Sequence, residues 1–332
     1  MEDYKKIDRI NNQSKFLIDY INIKEGLIKH QNKFLNKEDL NIFYKNNYLG
    51  VPLILPDQLE CFNYIENSKF KINKKDIQKY IFKTKNMNHT GLKLFFSNGV
   101  MFNNFGKPKK KYTSLLKSIS KINNDLKKKI IFLKKKKKKI ASFQTRNIPH
   151  FGHEKIIELL LQKNDYVFIN PLIGPKKRGD VKNQILYKVY SYLSKKFYDG
   201  RLIFKPVCAN MFYAGPREAI HHALIREMLG FDTFIIGRDH AGTDNAYKSN
   251  DAINLVNKNM HRFKINIITH KGSYYSKKSN KVVIFSGEQK TSDLVDISGS
   301  EFRKKLLRNQ YFKFARKDLQ TYVFNLNEKL FF

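Results

Sequence analysis

From Ile140 onward the apolar positions fall into two alternating kinds of run. IASF (140–143), YVFINPLIG (166–174), LIFKPVCA (202–209), TFIIG (233–237) and FKINIITH (263–270) are short and nearly continuous, as strands buried on both faces are. Between them, EKIIELLLQ (154–162), VKNQILYKVYSYL (181–193), PREAIHHALIREMLG (216–230) and AINLVNKN (252–259) repeat apolar residues at helical spacing. Pro216 suits the first turn of its helix and Gly230 its C-terminal stop. Strands alternating with helices predict an α/β fold with a parallel, doubly wound sheet, whose ligands sit beyond the carboxyl ends of the strands.

The flanks read differently. Residues 1–139 alternate short apolar runs with turn signals such as Val51-Pro52 and Leu55-Pro56. GLKLFFSNGVMF (91–102) predicts a hairpin, with Leu92–Phe96 and Val100–Phe102 joined through Ser97-Asn98-Gly99. The region ends in KKKIIFLKKKKKKIASF, where the run Lys134–Lys139 predicts a solvated turn between two strands. After Lys271 the chain is polar until ISGSEFRKKLL (297–307), where Ser298 and Glu301 form a capping-box pattern for a helix ending near Arg308. The expected division is therefore 1–139, 140–270 and 271–332.

At 332 residues, with 41% hydrophobic and 14% aromatic content, the chain holds enough apolar material for two or three packed units. Two distant cysteines, Cys61 and Cys208, suit a reducing compartment and exclude a disulfide framework. There is no long uncharged apolar segment to span a membrane, and the N-terminus lacks the apolar core of a signal peptide, so a cytoplasmic location is expected. The net charge of +35 raises nucleic acid as a partner. Against that, the lysines are spread along the whole chain, and abundant Lys, Asn, Ile, Phe and Tyr without Trp is a compositional tilt that leaves nucleic acid an unlikely partner.

Candidate chemistry lies at the strand ends. QTRNIPHFGHE (144–154) follows IASF directly and opens a helix, so His150 and His153 meet free backbone N–H groups and a positive dipole end. Two imidazoles there suit a polyphosphate, and Arg146 a bidentate anion clamp. A zinc site is the weaker reading because no third ligand of suitable spacing is evident. GRDHAG (237–242) follows TFIIG and brings Arg238, Asp239 and His240 to the same edge, with a tight turn closed by an ion pair as the alternative. In PREAIHHALIREMLG, His221 and His222 are adjacent and face different sides, so core packing accounts for at least one. A P-loop kinase is disfavoured, since no Gly-rich lysine loop is present. Two arginines and two histidines converging on one crevice predict a site for two anions.

With QTRNIPHFGHE, YAGPREAIHHALIR, GRDHAG and ISGSEFR in this order, the chain resembles ATP sulfurylase (sulfate adenylyltransferase) of the single-polypeptide, bacterial type. The resemblance implies a β-rich, PUA-like domain at 1–139, a Rossmann-like nucleotidyltransferase domain at 140–270 and a small α/β subdomain at 271–332. It implies the reaction MgATP plus sulfate giving adenosine 5′-phosphosulfate plus pyrophosphate, with sulfate attacking the α-phosphorus in line. Gln144, Arg146, Arg238 and the backbone at Ala241 would hold sulfate. Asn147, His150, His153, Gly237 and Asp239 would hold ATP, with the backbone near Ile297 along the adenine. Thr145, Arg146 and Asn147 would steady the transition state. Mg²⁺ would arrive with ATP, and a homo-oligomer, dimer or higher, is implied. Where the family pattern has zinc-binding cysteines, this chain has Ser276, Ser279 and Ser292, so no zinc is expected. Phe212 replaces an arginine of that pattern. Other readings are a different HxxH-type adenylyltransferase, a basic RNA-binding module, or a decayed, non-enzymatic relative.

Overall fold

The computed structural model describes residues 2–11, 14–29, 31–56, 59–63, 69–86, 88–96, 100–102, 106–175, 179–238, 240–242 and 246–332. Five strands, β3 (Ile140–Phe143), β4 (Tyr166–Ile169), β6 (Leu202–Phe204), β8 (Thr233–Gly237) and β9 (Asn266–His270), form a parallel sheet in the order β6-β4-β3-β8-β9. The chain starts at the central β3, steps outward to β6, then returns to the other side of β3 as β8 and β9. The switch point thus lies between β3 and β8, where the rule for open α/β sheets puts the ligand crevice. The short pair β5 (Leu172–Ile173) and β7 (Val207–Cys208) extends β4 and β6 beyond Pro171 and Pro206, which break the two longer apolar runs.

Consecutive strand residues face opposite cores. Phe234 and Ile236 join one apolar cluster with α6 (Thr113–Lys135), α9 (Pro216–Leu229) and α10 (Asp251–Lys258). Ile235 joins the other, with α7 (Phe151–Leu161), α8 (Asn183–Phe197), α11 (Gly299–Leu307) and α12 (Lys317–Phe324). The doubly wound expectation therefore holds. Gly230 caps α9 in the left-handed region, at φ 92°, as a C-terminal glycine does.

The expectation of a β-rich N-terminal region does not hold. Among the described residues it is mainly helical: α1 (Glu2–Asp8), α2 (Phe16–Lys24), α3 (Lys37–Lys45), α4 (Lys74–Asp76) running into a π-helical turn at Ile77–Phe82, α5 (Thr90–Phe96) and the long α6. Its described strands are only β1 (Lys69–Lys71) and β2 (Val100–Phe102), paired antiparallel. In α6 the buried positions Ile119, Ile122, Leu126, Ile130 and Leu133 recur every three or four residues, so 130–133 belongs to a helix and not to a strand. The lysine run is the end of that helix and its exit turn. Likewise Leu92–Phe96 is helical and Val100–Phe102 pairs with β1, so there is no hairpin between them; Ser97-Asn98-Gly99 lie outside the described residues. The N-terminal helices share one continuous apolar cluster with the sheet, from Ile7 through Ile267. C-terminally, β10 (Ser273–Ser276), β11 (Lys281–Ile284) and β12 (Leu294–Asp296) form an antiparallel sheet in the order β11-β10-β12.

Candidate active site

Gln144 to Asn147 leave the carboxyl end of β3 and turn under the start of α7. The turn is held from within: the Asn147 amide donates to Thr145 Oγ1 at 3.3 Å, and the buried Tyr190 hydroxyl donates to the Asn147 carbonyl at 3.1 Å. Arg146 is half exposed, with its guanidinium 3.6 Å from Asp180. Arg303 of α11 donates to Asn147 Oδ1 at 2.8 Å, which turns the asparagine's amide nitrogen the other way.

The His-x-x-His pair is also the N-terminal cap of α7. His150 Nδ1 accepts the Gly152 amide at 3.1 Å, and His153 Nδ1 accepts the His150 amide at 3.4 Å. Both Nδ1 lone pairs are thereby used by backbone donors, so in the neutral rings the proton sits on Nε2. Burial pushes the His150 imidazole down to about 4 and His153 well below its ordinary value. At neutral pH the pair offers two uncharged N–H donors beside a helix N-terminus, a suitable arrangement for phosphate oxygens.

Across the switch point, β8 delivers Gly237 and Arg238. A Cβ at Gly237 would lie 2.7 Å from His270 Nε2, so a larger residue there would push the His270 ring out of its present place. His270 Nδ1 accepts the Gly272 amide at 3.2 Å, which again leaves the proton on Nε2. Arg238 lies over the Tyr274 ring at 5.0 Å, donates to its hydroxyl, and pairs with Asp296 at 2.5 Å. Ala241 takes a left-handed φ of 58°. Asp239 lies outside the described residues.

These stretches enclose a cavity of about 290 Å³ at the carboxyl edge of the sheet. Gln144, Thr145, Arg146, Asn147 and His153 line one side of the switch point; Gly237, Arg238 and Ala241 line the other. Two of the expected residues are not in its lining. His150 sits behind His153, with ring centroids 3.9 Å apart. Ile297 is buried in the second apolar cluster, just ahead of the Ser298 cap of α11. Sequence reasoning gave no role to Asp180, Met211, Tyr213 or His270, all of which line the cavity. His270 ends a strand of the parallel sheet, so the strand-end rule that singled out Gln144 and Gly237 applies to it equally. Phe212 packs on Phe95 at 4.5 Å between centroids, outside the cavity lining.

Ser276 Oγ accepts the Ser279 amide at 3.2 Å, so a hydroxyl closes that turn. Among the described residues there is no group of three or more His, Cys, Asp or Glu placed to hold a metal ion.

The family model described as ATP-sulfurylase matches residues 124–314, which contain every stretch that lines the cavity. The sulfate adenylyltransferase of Pyrococcus abyssi is 31% identical over 88% of this chain and 83% of its own length. The chain belongs to the ATP-sulfurylase family. Further similar proteins of this name are those of Ignicoccus hospitalis, 32% identical over 69% of this chain and 60% of the relative, and Persephonella marina, 28% identical over 92% and 87%. As a member of the ATP-sulfurylase family, the chain is of the nucleotidyltransferase class.

Proposed function

We propose that this chain is a sulfate adenylyltransferase, converting MgATP and sulfate to adenosine 5′-phosphosulfate and pyrophosphate. The observation that carries the proposal is the meeting of QTRN, the His-x-x-His cap and the GR–A edge on one cavity at the switch point. A sulfate oxygen forms the new bond to the α-phosphorus while the bond from that phosphorus to the pyrophosphate oxygen breaks. The protein's task is to align two mutually repelling anions and neutralise charge that builds on the phosphates. Neither task needs a side-chain nucleophile.

In this reading Gln144, Arg146, Arg238 and the Ala241 backbone take sulfate. Asn147, His150, His153, Gly237 and Asp239 take ATP, with the backbone near Ile297 beside the adenine. Thr145, Arg146 and Asn147 stabilise the transition state. The two arginines rest on Asp180 and Asp296, and incoming sulfate exchanges those carboxylates for its own oxygens. The uncharged His153 donates to the phosphate chain, and His150, behind it, holds the cap that aims it. Mg²⁺ enters bound to the nucleotide. The three-part division at 139 and 270, a cytoplasmic location, a homo-oligomer and action as a single type of polypeptide complete the proposal. Size-exclusion chromatography with light scattering tests the oligomer.

Sulfate-dependent pyrophosphate release tests the activity. Arg146→Ala and His153→Ala should each lower kcat/KM at least 100-fold, while circular dichroism reports an intact fold. Retention of near-full activity by both would contradict the assignment. We propose further that the Ser276–Ser279 turn holds no zinc; stoichiometric zinc in purified protein would contradict that.

A further inference from the structure

Three stretches that wall the cavity converge on the first turns of α9. Glu218, wholly buried, accepts the Phe212 amide at 2.7 Å and the Ala214 amide at 2.8 Å, one on each carboxylate oxygen. This two-point clamp closes the turn in which Tyr213, a cavity residue, takes a left-handed φ of 61°. From the same turn, the Gly215 amide donates to the carbonyl of Ala241 at 3.2 Å and so ties a second wall to the first.

One helical turn further on is His222, also wholly buried. Its Nδ1 lies 3.2 Å from Gln144 Nε2 and 2.9 Å from His240 Nε2. Its Nε2 lies 3.2 Å from Glu218 Oε1, close to the carboxylate but not aligned for a hydrogen bond. The Gln144 amide nitrogen can only donate, so the Nδ1 it faces is the acceptor and the ring proton sits on Nε2. Gln144 is thus held by its amide nitrogen, and its buried Oε1 has no hydrogen-bond partner among the described residues. The neighbouring face of α9 has other work: Arg217 donates to the Gly50 carbonyl at 2.9 Å, and His221 Nδ1 accepts the Val51 amide at 3.4 Å.

We propose that Glu218 and His222 are positioning residues for the oxyanion half of the cavity. Without touching either substrate, they fix the orientation of the Gln144 amide, the His240 loop and the Tyr213 turn. The proposal rests on the reading that Gln144 contacts sulfate. The ATP half, built on Asn147 and His153, is held by Arg303, Tyr190 and the α7 cap instead.

The test measures KM for sulfate and for MgATP separately in His222→Ala, His222→Gln and Glu218→Gln, with thermal unfolding alongside. His222→Ala should raise KM for sulfate at least tenfold and leave KM for MgATP within twofold. His222→Gln supplies an amide oxygen that accepts from Gln144, and should recover most of the loss. Glu218→Gln sets an NH₂ group against a backbone N–H, and should also raise KM for sulfate selectively. Two KM values that move together, or a fall in Tm with KM for sulfate unchanged, would overturn the proposal. Should the variants not fold, ¹⁵N NMR of the wild-type histidines decides: a proton on His222 Nε2 supports the clamp, and one on Nδ1 overturns it. Wild-type protein without sulfate-dependent pyrophosphate release would defeat the functional reading and leave the tautomer result standing.

Discussion

His150 and His153 together cap α7, and His153 in addition lines the cavity. The capping bonds fix the tautomer, and burial keeps both rings neutral. This has a consequence for stability. The folded pKa of His150, about 4, lies below the ordinary 6.5, so the folded protein favours the neutral ring. Its contribution is fully present above pH 6.5 and is lost as pH falls from 6.5 toward 4. With the pKa moved from 6.5 to about 4, at about 1.36 kcal/mol per pH unit, the complete loss, reached below pH 4, is about 3 kcal/mol for this ring alone. Urea unfolding at pH 7.5 and at pH 4.5 should differ by most of that amount, about 2.5 kcal/mol from this ring, and His150→Asn should flatten it. An equal pH dependence in both proteins would contradict the assignment. At this scale the sequence was informative where chemistry is local. Gln144 to His153 lie in one unbroken stretch behind a buried strand, so residue types and position alone marked them. Arg303, Asp180 and Glu218 act through approaches from distant parts of the chain, which no local pattern encodes.

Among the elements, the parallel strands and their helices were legible from Ile140 onward because burial on both faces leaves a continuous apolar run. Proline divides two of those runs into β4 and β5 and into β6 and β7. N-terminally the β-rich expectation came from the family resemblance, and the local pattern offered nothing against it. The run FLIDYI belongs to α2, which buries nearly its whole circumference, Phe16, Leu17, Ile18 and Ile21 included. A helix covered on all sides has no polar face to reveal its period. The capping pattern at Ser298 was half right. Ser298 Oγ accepts the Glu301 amide at 3.2 Å, but the reciprocal bond from the Ser298 N–H to the Glu301 side chain is not formed. Ser298→Ala should cost about 1 kcal/mol in denaturant unfolding, the usual worth of such a cap. Because α11 carries Arg303 to Asn147, the same variant should raise KM for MgATP more than KM for sulfate. An unchanged stability would show that the cap bond contributes nothing.

For the whole molecule, one apolar cluster joins the N-terminal helices to one face of the catalytic sheet, and a second joins the C-terminal elements to the other. The N-terminal region reaches the site through α9, whose Arg217 and His221 hold residues 50 and 51 while Glu218 and His222 hold the cavity walls. The net charge of +35 remains a property of the surface as a whole. It favours encounter with anions in general and does not select among them. Selection belongs to the cavity, and the reverse reaction examines it with both products at once. Purified protein given adenosine 5′-phosphosulfate and pyrophosphate with Mg²⁺ should form ATP, and neither compound alone should support this. Arg146→Ala should reduce the rate at least 100-fold. No ATP above background from the folded wild-type chain, or an Arg146→Ala variant as fast as wild type, would contradict the account.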